Sequence, residues 1–269
     1  MDADVTSYYD HFSRQVGLRD WAHGNPRHEH LKRIVDGLLR ERRELSILDV
    51  GCGAGVLSGH LTKFGKVVGI DPSAPAIELA RVFVPSAEFH AGTLDMVDVP
   101  GPFDVVTAFD VLEHIRPDDR RSFFTRLRAL LAPYGTIVLS TPHGRHTRWL
   151  YEHHRERMQP IDEPVDVLDL VRLASDIGLD LSYYVTYDVD HAVQYQLFAF
   201  APAPDPGSRP ARDDRLLPRL RRRRKAGGHV LRRVSLAVRM GRSGDLRLAA
   251  WTLLPSSEAP ATQEESSGS

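Results

Sequence analysis

The segment ILDVGCGAGVLSGHL, Ile47 to Leu61, constrains this chain more than any other. An apolar run, three alternating glycines and a second run with helical apolar spacing predict a strand, a sharp turn and a helix. Gly51, Gly53 and Gly55 permit that turn and let a ligand lie against bare backbone. The following helix points its first N–H groups at the ligand, which favours an anionic group such as a carboxylate. A dinucleotide fingerprint would set the third glycine one position later, where this chain has Val56. A phosphate-cradling loop is also disfavoured, because no Lys-Ser or Lys-Thr pair follows.

The rest of the chain alternates strand and helix. A helix from His28 to Arg43 leads in. Ser46–Val50 reads as a strand, Val56–Phe64 as a helix, Lys66–Ile70 as a strand, and Pro75–Phe83 as a helix capped by Ser73. Glu88–Ala91 and the β-branched FDVVTAF, Phe103 to Phe109, follow as strands. Pro117–Leu131 is then a helix and Thr136–Ser140 a strand.

A helix over Asp166–Ile177, stopped by Gly178, precedes two strands, Leu181–Tyr187 and Val193–Phe200. Their connection is too short for a parallel crossover, so they pair as a hairpin. The expected fold is therefore α/β: a doubly wound, mostly parallel seven-stranded sheet ending in an antiparallel hairpin. Asp71 closes the second strand in VVGID, where a carboxylate can take both hydroxyls of a ribose.

The sequence divides into an N-terminal lid and helix (1–45), a core (46–200), a Pro-rich linker (201–212), a basic extension (213–254) and a polar tail (255–269) read as disordered. The net charge of −1 hides an asymmetry: 21 Lys/Arg face 29 Asp/Glu up to Phe200, and 14 face 7 beyond it. The segment RLRRRRK, Arg219 to Lys225, concentrates that charge. Three roles are open for the extension: a solvated, partly helical appendage, an amphipathic helix on an anionic membrane, or a nucleic-acid contact. The acidic body disfavours the last.

The single cysteine, Cys52, excludes an intramolecular disulfide and fits a reducing compartment. No apolar run reaches the roughly 18 to 20 residues of a spanning helix, and the start MDADVTSYYD lacks a cationic flank. The expected location is cytoplasmic.

Taken in order, DVGCGAG, GIDPS, AGTLD, FDVVTAFDVLEHI and APYGTIVLSTP resemble the class I S-adenosylmethionine-dependent methyltransferases, over roughly Tyr8 to Phe200. Asn25, Pro26 and Arg27 with the LEH tripeptide are most similar to the ubiquinone-biosynthesis O-methyltransferases and related enzymes of sugars and natural products. The resemblance implies a Rossmann-like fold and S-adenosylmethionine as cofactor.

By position, it implies that Gly51, Gly53 and Gly55 line the methionine moiety while Asp49 supports the loop. Asp71, followed by Pro72, holds the ribose. Thr93, Leu94 and Asp95 lie at adenine, and Phe109 and Asp110 sit under the sulfonium. Arg27 faces the cofactor carboxylate. Thr93 departs from the carboxylate common there. In ubiquinone-type enzymes carboxylates beside LEH can hold a divalent metal, and Asp110, Glu113 and His114 match those positions; no metal is the expectation here.

Methyl transfer to a hydroxyl needs a base, and an imidazole with a pKa near about 6.5 is suited to it. His114 and His143 follow the fourth and fifth strands at the ligand edge and are the catalytic candidates. Tyr8, Tyr9, His11, Phe12 and Trp21 form either a lid or staples for the first helix. The segment 145–166 reads as a long insertion at the acceptor pocket, with the adjacent His153 and His154 a poor zinc pair. The expected partner is a small-molecule acceptor, a specialised metabolite or sugar, with no nucleic acid. An N- or C-methyltransferase and a non-methylating cofactor-binding scaffold stand as alternatives.

Overall fold

The computed structural model describes residue 10, residues 15–204, and the backbone of residues 235–240 and 246–251. Contacts divide the chain into two units, Met1–Arg233 and Val234–Ser269, each described here by itself.

The first unit opens with helical residues 15–23 (α1). Next come α2 (Pro26–Leu38), β1 (Leu45–Val50), α3 (Val56–Leu61), β2 (Gly65–Asp71), α4 (Ala74–Phe83) and β3 (Glu88–Ala91). β4 (Phe103–Phe109), α5 (Arg120–Leu130), β5 (Leu131–Pro142), α6 (Gly144–His153), α7 (Val167–Asp176), β6 (Leu179–Tyr187) and β7 (Tyr195–Pro202) complete it. The seven strands lie in the order β3-β2-β1-β4-β5-β7-β6. β1 to β5 run parallel, while β7 is antiparallel to both β5 and β6. The expected sheet and terminal hairpin are both present.

Period two along the strands explains the layering. Leu48, Val106, Ile137, Leu139 and Phe198 point to one face and join Phe124 and Leu127 of α5 and Leu170 and Ala174 of α7. Their neighbours Ile47, Val105, Val138 and Leu197 point to the other, against Leu31 and Val35 of α2 and Leu61 of α3. Each such fully buried side chain contributes roughly 1.5–3 kcal/mol, which is why these strands read as continuous apolar runs.

Several boundaries differ from the sequence expectation. α2 begins two residues early because Asn25 caps it, its Oδ1 accepting from Arg27 N at 3.0 Å, with Pro26 at the first helical position. It ends at Leu38 rather than Arg43. β5 begins at Leu131, not Thr136, pairing Phe103 with Leu131 before a register irregularity brings Val105 to Thr136. Residues 145–166 are not a plain insertion, since α6 fills much of them.

In the second unit β8 (Ser235–Met240) and β9 (Leu246–Trp251) pair antiparallel, with Leu236 opposite Ala250 and Val238 opposite Leu248. This part of the extension is strand, not helix. The alternation in SLAVRM and LRLAAW is a period of two, which the helical reading overlooked. The basic run Arg219 to Lys225, and the tyrosines and other aromatics of residues 8–12, lie outside the described residues. Among the described residues no helix is long and apolar enough to cross a membrane.

Candidate active site

In an open parallel sheet, ligands bind beyond the carboxyl ends of the strands, where the chain order reverses. Here the reversal falls between β1 and β4, so Gly51, Asp71, Thr93, Asp110 and His143 emerge along one edge. β7 runs the other way, which brings its first residue, Tyr195, to the same edge opposite Pro142.

The glycine loop is built from within. All three glycines are left-handed, with φ of 71° at Gly51, 52° at Gly53 and 81° at Gly55. A Cβ on Gly51 would collide with a methyl of Val111, and one on Gly55 would press on Ala80 and Phe89. One on Gly53 would meet nothing within 4 Å. The outer glycines are thus required by packing, while the middle one faces open space where a ligand can approach.

Asp49, fully buried, clamps the loop from below. It accepts from Ser58 Oγ at 2.6 Å and Thr107 Oγ1 at 2.7 Å, and burial pushes its pKa up to about 6 against those two hydrogen bonds. Asp71 ties the far side: Oδ2 accepts from Gly53 N and Oδ1 from Ser73 N, both at 2.9 Å. Burial raises its pKa, and the two backbone bonds oppose the shift. Each of its oxygens keeps acceptor capacity for a hydroxyl.

Trp21 does not stand as a lid over the site. Its Nε1 donates to Ala54 O at 2.8 Å and its ring stacks on Phe83 at 4.9 Å, stapling α1 to the loop. Beyond β2 and β3, Thr93 O accepts from Met96 N and Val97 N, Leu94 is buried in the core, and Pro72 and Asp95 are exposed.

Past β4 the arrangement changes. Asp110 sits at φ 55°, with its N–H donating to Ser140 O at 2.8 Å. Its Oδ2 lies 3.2 Å from Arg27 Nη1, and the guanidinium rests 5.5 Å from the centre of the Tyr195 ring. Arg27 is therefore held by Asp110 and Tyr195. Burial works against its charge, yet Asp110 and the two tyrosines Tyr195 and Tyr187 keep it above its ordinary value.

Tyr187 hydrogen-bonds Ser140 at 2.8 Å and stacks on Tyr195 at 5.4 Å. Phe109, 7% exposed, packs beneath. Sequence reasoning passed over both tyrosines. The available signal was their place at the two ends of the hairpin turn, where Tyr187 and Tyr195 are paired.

Arg27 Nε, Asp110 Oδ1, Glu113 Oε2 and Thr141 Oγ1 are all buried without a hydrogen-bond partner. Four such atoms near the ends of β4 and β5 are an unusual concentration for an interior and suit a ligand or water that would satisfy them. Glu113, 2% exposed, is pushed well above its ordinary value by burial and by the neighbouring Asp110. Among the described residues no group of three or more His, Cys, Asp or Glu is arranged to hold a metal ion.

His114 lies in the short 3-10 turn Leu112–His114. Its Nδ1 is 2.6 Å from Ile161 O and 3.6 Å from Asp162 Oδ1. A carbonyl only accepts, so Nδ1 carries the hydrogen and, in the neutral ring, Nε2 carries the lone pair. The 161–165 segment that positions it is strapped down by Glu163 N to Glu113 O at 2.7 Å, by Arg120 to Glu163 O and Pro164 O, and by Gln196 Nε2 to Val165 O at 2.8 Å.

His143 has a different task. It caps α6, its Nδ1 accepting from Arg145 N at 3.2 Å, which commits the nitrogen that would act as base. Burial and the neighbouring Arg145 lower its pKa. The structure thus gathers Arg27, Asp110, Glu113 and His114 with two tyrosines and leaves His143 as a helix cap.

The model of the methyltransferase domain family matches residues 21–183. The chain belongs to this family, of the class I S-adenosylmethionine-dependent kind anticipated from its motifs. Among curated proteins it is 37% identical over 102 residues to the ubiquinone biosynthesis O-methyltransferase of Rhodopseudomonas palustris (strain HaA2), covering 36% of this chain and 40% of that protein. It is 39% identical over 102 residues to the enzyme of the same name from Bradyrhizobium sp. (strain ORS 278), with the same coverage. The match thus spans about 40% of the length of these relatives.

The crystal structure of magnesium protoporphyrin IX methyltransferase from Synechocystis PCC 6803 with bound S-adenosylhomocysteine superposes with a TM-score of 0.62 at 18% identity, covering 74% of this chain and 98% of that one. A methyltransferase from Corynebacterium glutamicum gives 0.56 at 19%, covering 73% and 98%. At these identities the likeness is one of fold.

Proposed function

We propose that the protein transfers the methyl group of S-adenosylmethionine to a hydroxyl of a small molecule, with His114 as the base. The observation that carries this reading is the His114 ring itself. Its Nδ1 is fixed as a donor to Ile161 O, so Nε2 is the basic nitrogen, at the edge where Asp110 emerges. The named activity of the partial relatives supports oxygen as the acceptor atom.

The residues present fit the cofactor. Arg27 Nε and Asp110 Oδ1 are an unsatisfied donor and an unsatisfied acceptor beside one ion pair, which suits the carboxylate and ammonium of an amino-acid moiety. The open face of Gly53 admits that moiety, and Asp71 keeps acceptor capacity for ribose hydroxyls. Thr93, Leu94 and Asp95 flank the adenine position. When bound, the cofactor supplies a methyl group on a positive sulfur, ready for in-line displacement.

The chain then has two tasks: to hold the hydroxyl aligned, and to remove its proton. His114 Nε2 takes the proton, and Asp162 beside Nδ1 stabilises the imidazolium that results. Glu113, buried beside Asp110 with Oε2 unpartnered, is placed to contact the acceptor oxygen. The acceptor is read as a specialised metabolite or sugar. A screen of hydroxylated small molecules with wild type and His114→Asn tests this: turnover by wild type with product methylated on oxygen is expected. Methylation of nitrogen or carbon, or an unimpaired His114→Asn, would overturn it.

A further inference from the structure

Residues 159–166 (QPIDEPVD) lie between α6 and α7 with no regular hydrogen-bonded structure of their own. Two features of the sequence account for this. Pro160 and Pro164 have no N–H to donate, and each disfavours a helical conformation at the residue before it. The carbonyls of the segment, at residues half-buried or buried, must therefore find donors elsewhere.

Five in succession do so, each from a side chain. Ile161 O accepts from His114 Nδ1 at 2.6 Å and Asp162 O from Tyr151 Oη at 3.0 Å. Glu163 O accepts from Arg120 Nη2 at 3.3 Å, Pro164 O from Arg120 Nη1 at 3.1 Å, and Val165 O from Gln196 Nε2 at 2.8 Å. The hydrogen on the His114 ring is thus the first member of a row. Two of the other four donors belong to Arg120.

Arg120 also reaches the other side of that first bond. Its Nε donates to Ile115 O at 3.2 Å, the carbonyl directly after His114. One planar guanidinium therefore grips both the turn that carries the imidazole and the strap that receives its hydrogen. Burial lowers the pKa of Arg120, and the carboxylates of Glu163, Glu113, Asp166 and Asp169 oppose the shift. All three nitrogens nonetheless donate to carbonyls, which calls on the fixed geometry of the fork and not only on its charge.

We propose that Arg120 is a positioning residue for His114: it fixes the strap so that Ile161 O stays on Nδ1, and so selects the tautomer whose basic nitrogen is Nε2. Which ring nitrogen carries the hydrogen is set by the bond the other environment offers. Without that carbonyl a neutral imidazole favours the hydrogen on Nε2, and the basic nitrogen becomes Nδ1, on the side of the strap. The consequence for turnover rests on the reading of His114 as base; the tautomer does not. Lysine keeps the charge of Arg120 but not its fork, and should not replace it.

The test is nitrogen-15 NMR of the full chain labelled at histidine, at about pH 8, where ordinary imidazoles are neutral. The His114 ring is assigned by its absence in His114→Asn. Wild type is expected to carry the hydrogen on Nδ1, and Arg120→Gln and Arg120→Lys to carry it on Nε2. Arg121→Gln, which removes an exposed bond to Asp176 from the same helix, should keep the wild-type pattern. Thermal unfolding identifies the folded variants. A wild-type ring protonated on Nε2, or an unchanged tautomer in either folded Arg120 variant, would overturn the proposal.

On a hydroxylated acceptor turned over by wild type, Arg120→Gln should lower kcat by about tenfold or more with KM little changed. A tautomer shift in Arg120→Gln alongside unimpaired turnover by His114→Asn would sink the base reading and leave the positioning role standing. An unshifted tautomer alongside an impaired His114→Asn would sink the positioning role alone.

Discussion

The glycine loop and the end of β4 face the same edge of the sheet but are constructed in opposite ways. In the loop the polar groups serve one another: Asp49 is satisfied by Ser58 and Thr107, Asp71 by Gly53 and Ser73, and Trp21 by Ala54. At the end of β4, Arg27, Asp110, Glu113 and Thr141 each retain a buried polar atom with no partner. The first region is a finished shape. The second is a set of unmet bonds, of the kind that a ligand could complete. In the proposed reading the cofactor lies along the first and its amino-acid end reaches Arg27 and Asp110 of the second, where the acceptor is also met.

If the loop is a finished shape, altering its packing should cost stability as well as binding. Gly51→Ala combines a left-handed φ with a collision against Val111. A loss of about 2 to 5 kcal/mol of unfolding free energy is expected in urea titrations, together with loss of cofactor binding. A variant as stable as wild type would break the comparison at its strongest point.

The proton on Asp49 sharpens it further. The folded protein holds this proton up to about pH 6, whereas the ordinary value is 3.8. Between those values the native state binds more protons than the unfolded chain. The contribution is therefore complete at low pH and is lost as pH rises through the window, by about 3 kcal/mol in all. Asp49→Asn should lack that decline, so the stability difference between the two proteins, measured from pH 4 to pH 7, should drift by about that amount.

At the other region, effects should fall on turnover and not on stability. His114→Asn is expected to lower kcat by about 100-fold while the affinity for S-adenosylhomocysteine stays unchanged. A parallel loss of affinity would mean that His114 shapes the cofactor site instead. The smallest effect belongs to the staple: Trp21→Phe keeps the stacking on Phe83 but removes the bond to Ala54, and should cost about 1 kcal/mol in thermal unfolding.

The same contrast decides what could be read from the sequence. The loop, Asp71, the Ser73 cap and the terminal hairpin are local patterns, in which residue type and spacing determine the backbone, and all are present. The second region is assembled from distant pieces. Arg27 reaches Asp110 across 83 positions and Tyr195 joins from the last strand, contacts that no local period announces.

α6 was missed because RHTRWLYEH offers no continuous apolar stripe; its ring cluster around Trp149 faces outward. His143 looked like a base because it follows β5, and only its bond to Arg145 N identifies it as a cap. The β8–β9 pair had a readable period of two, hidden under a composition that drew attention to charge.

The central claim is that the loop and Asp71 form a cofactor site, and calorimetric titration of S-adenosylhomocysteine into wild type and Asp71→Ala tests it most directly. Saturable micromolar binding by wild type, lost in a folded Asp71→Ala, is the predicted result. A folded wild type that binds neither S-adenosylhomocysteine nor S-adenosylmethionine would contradict it.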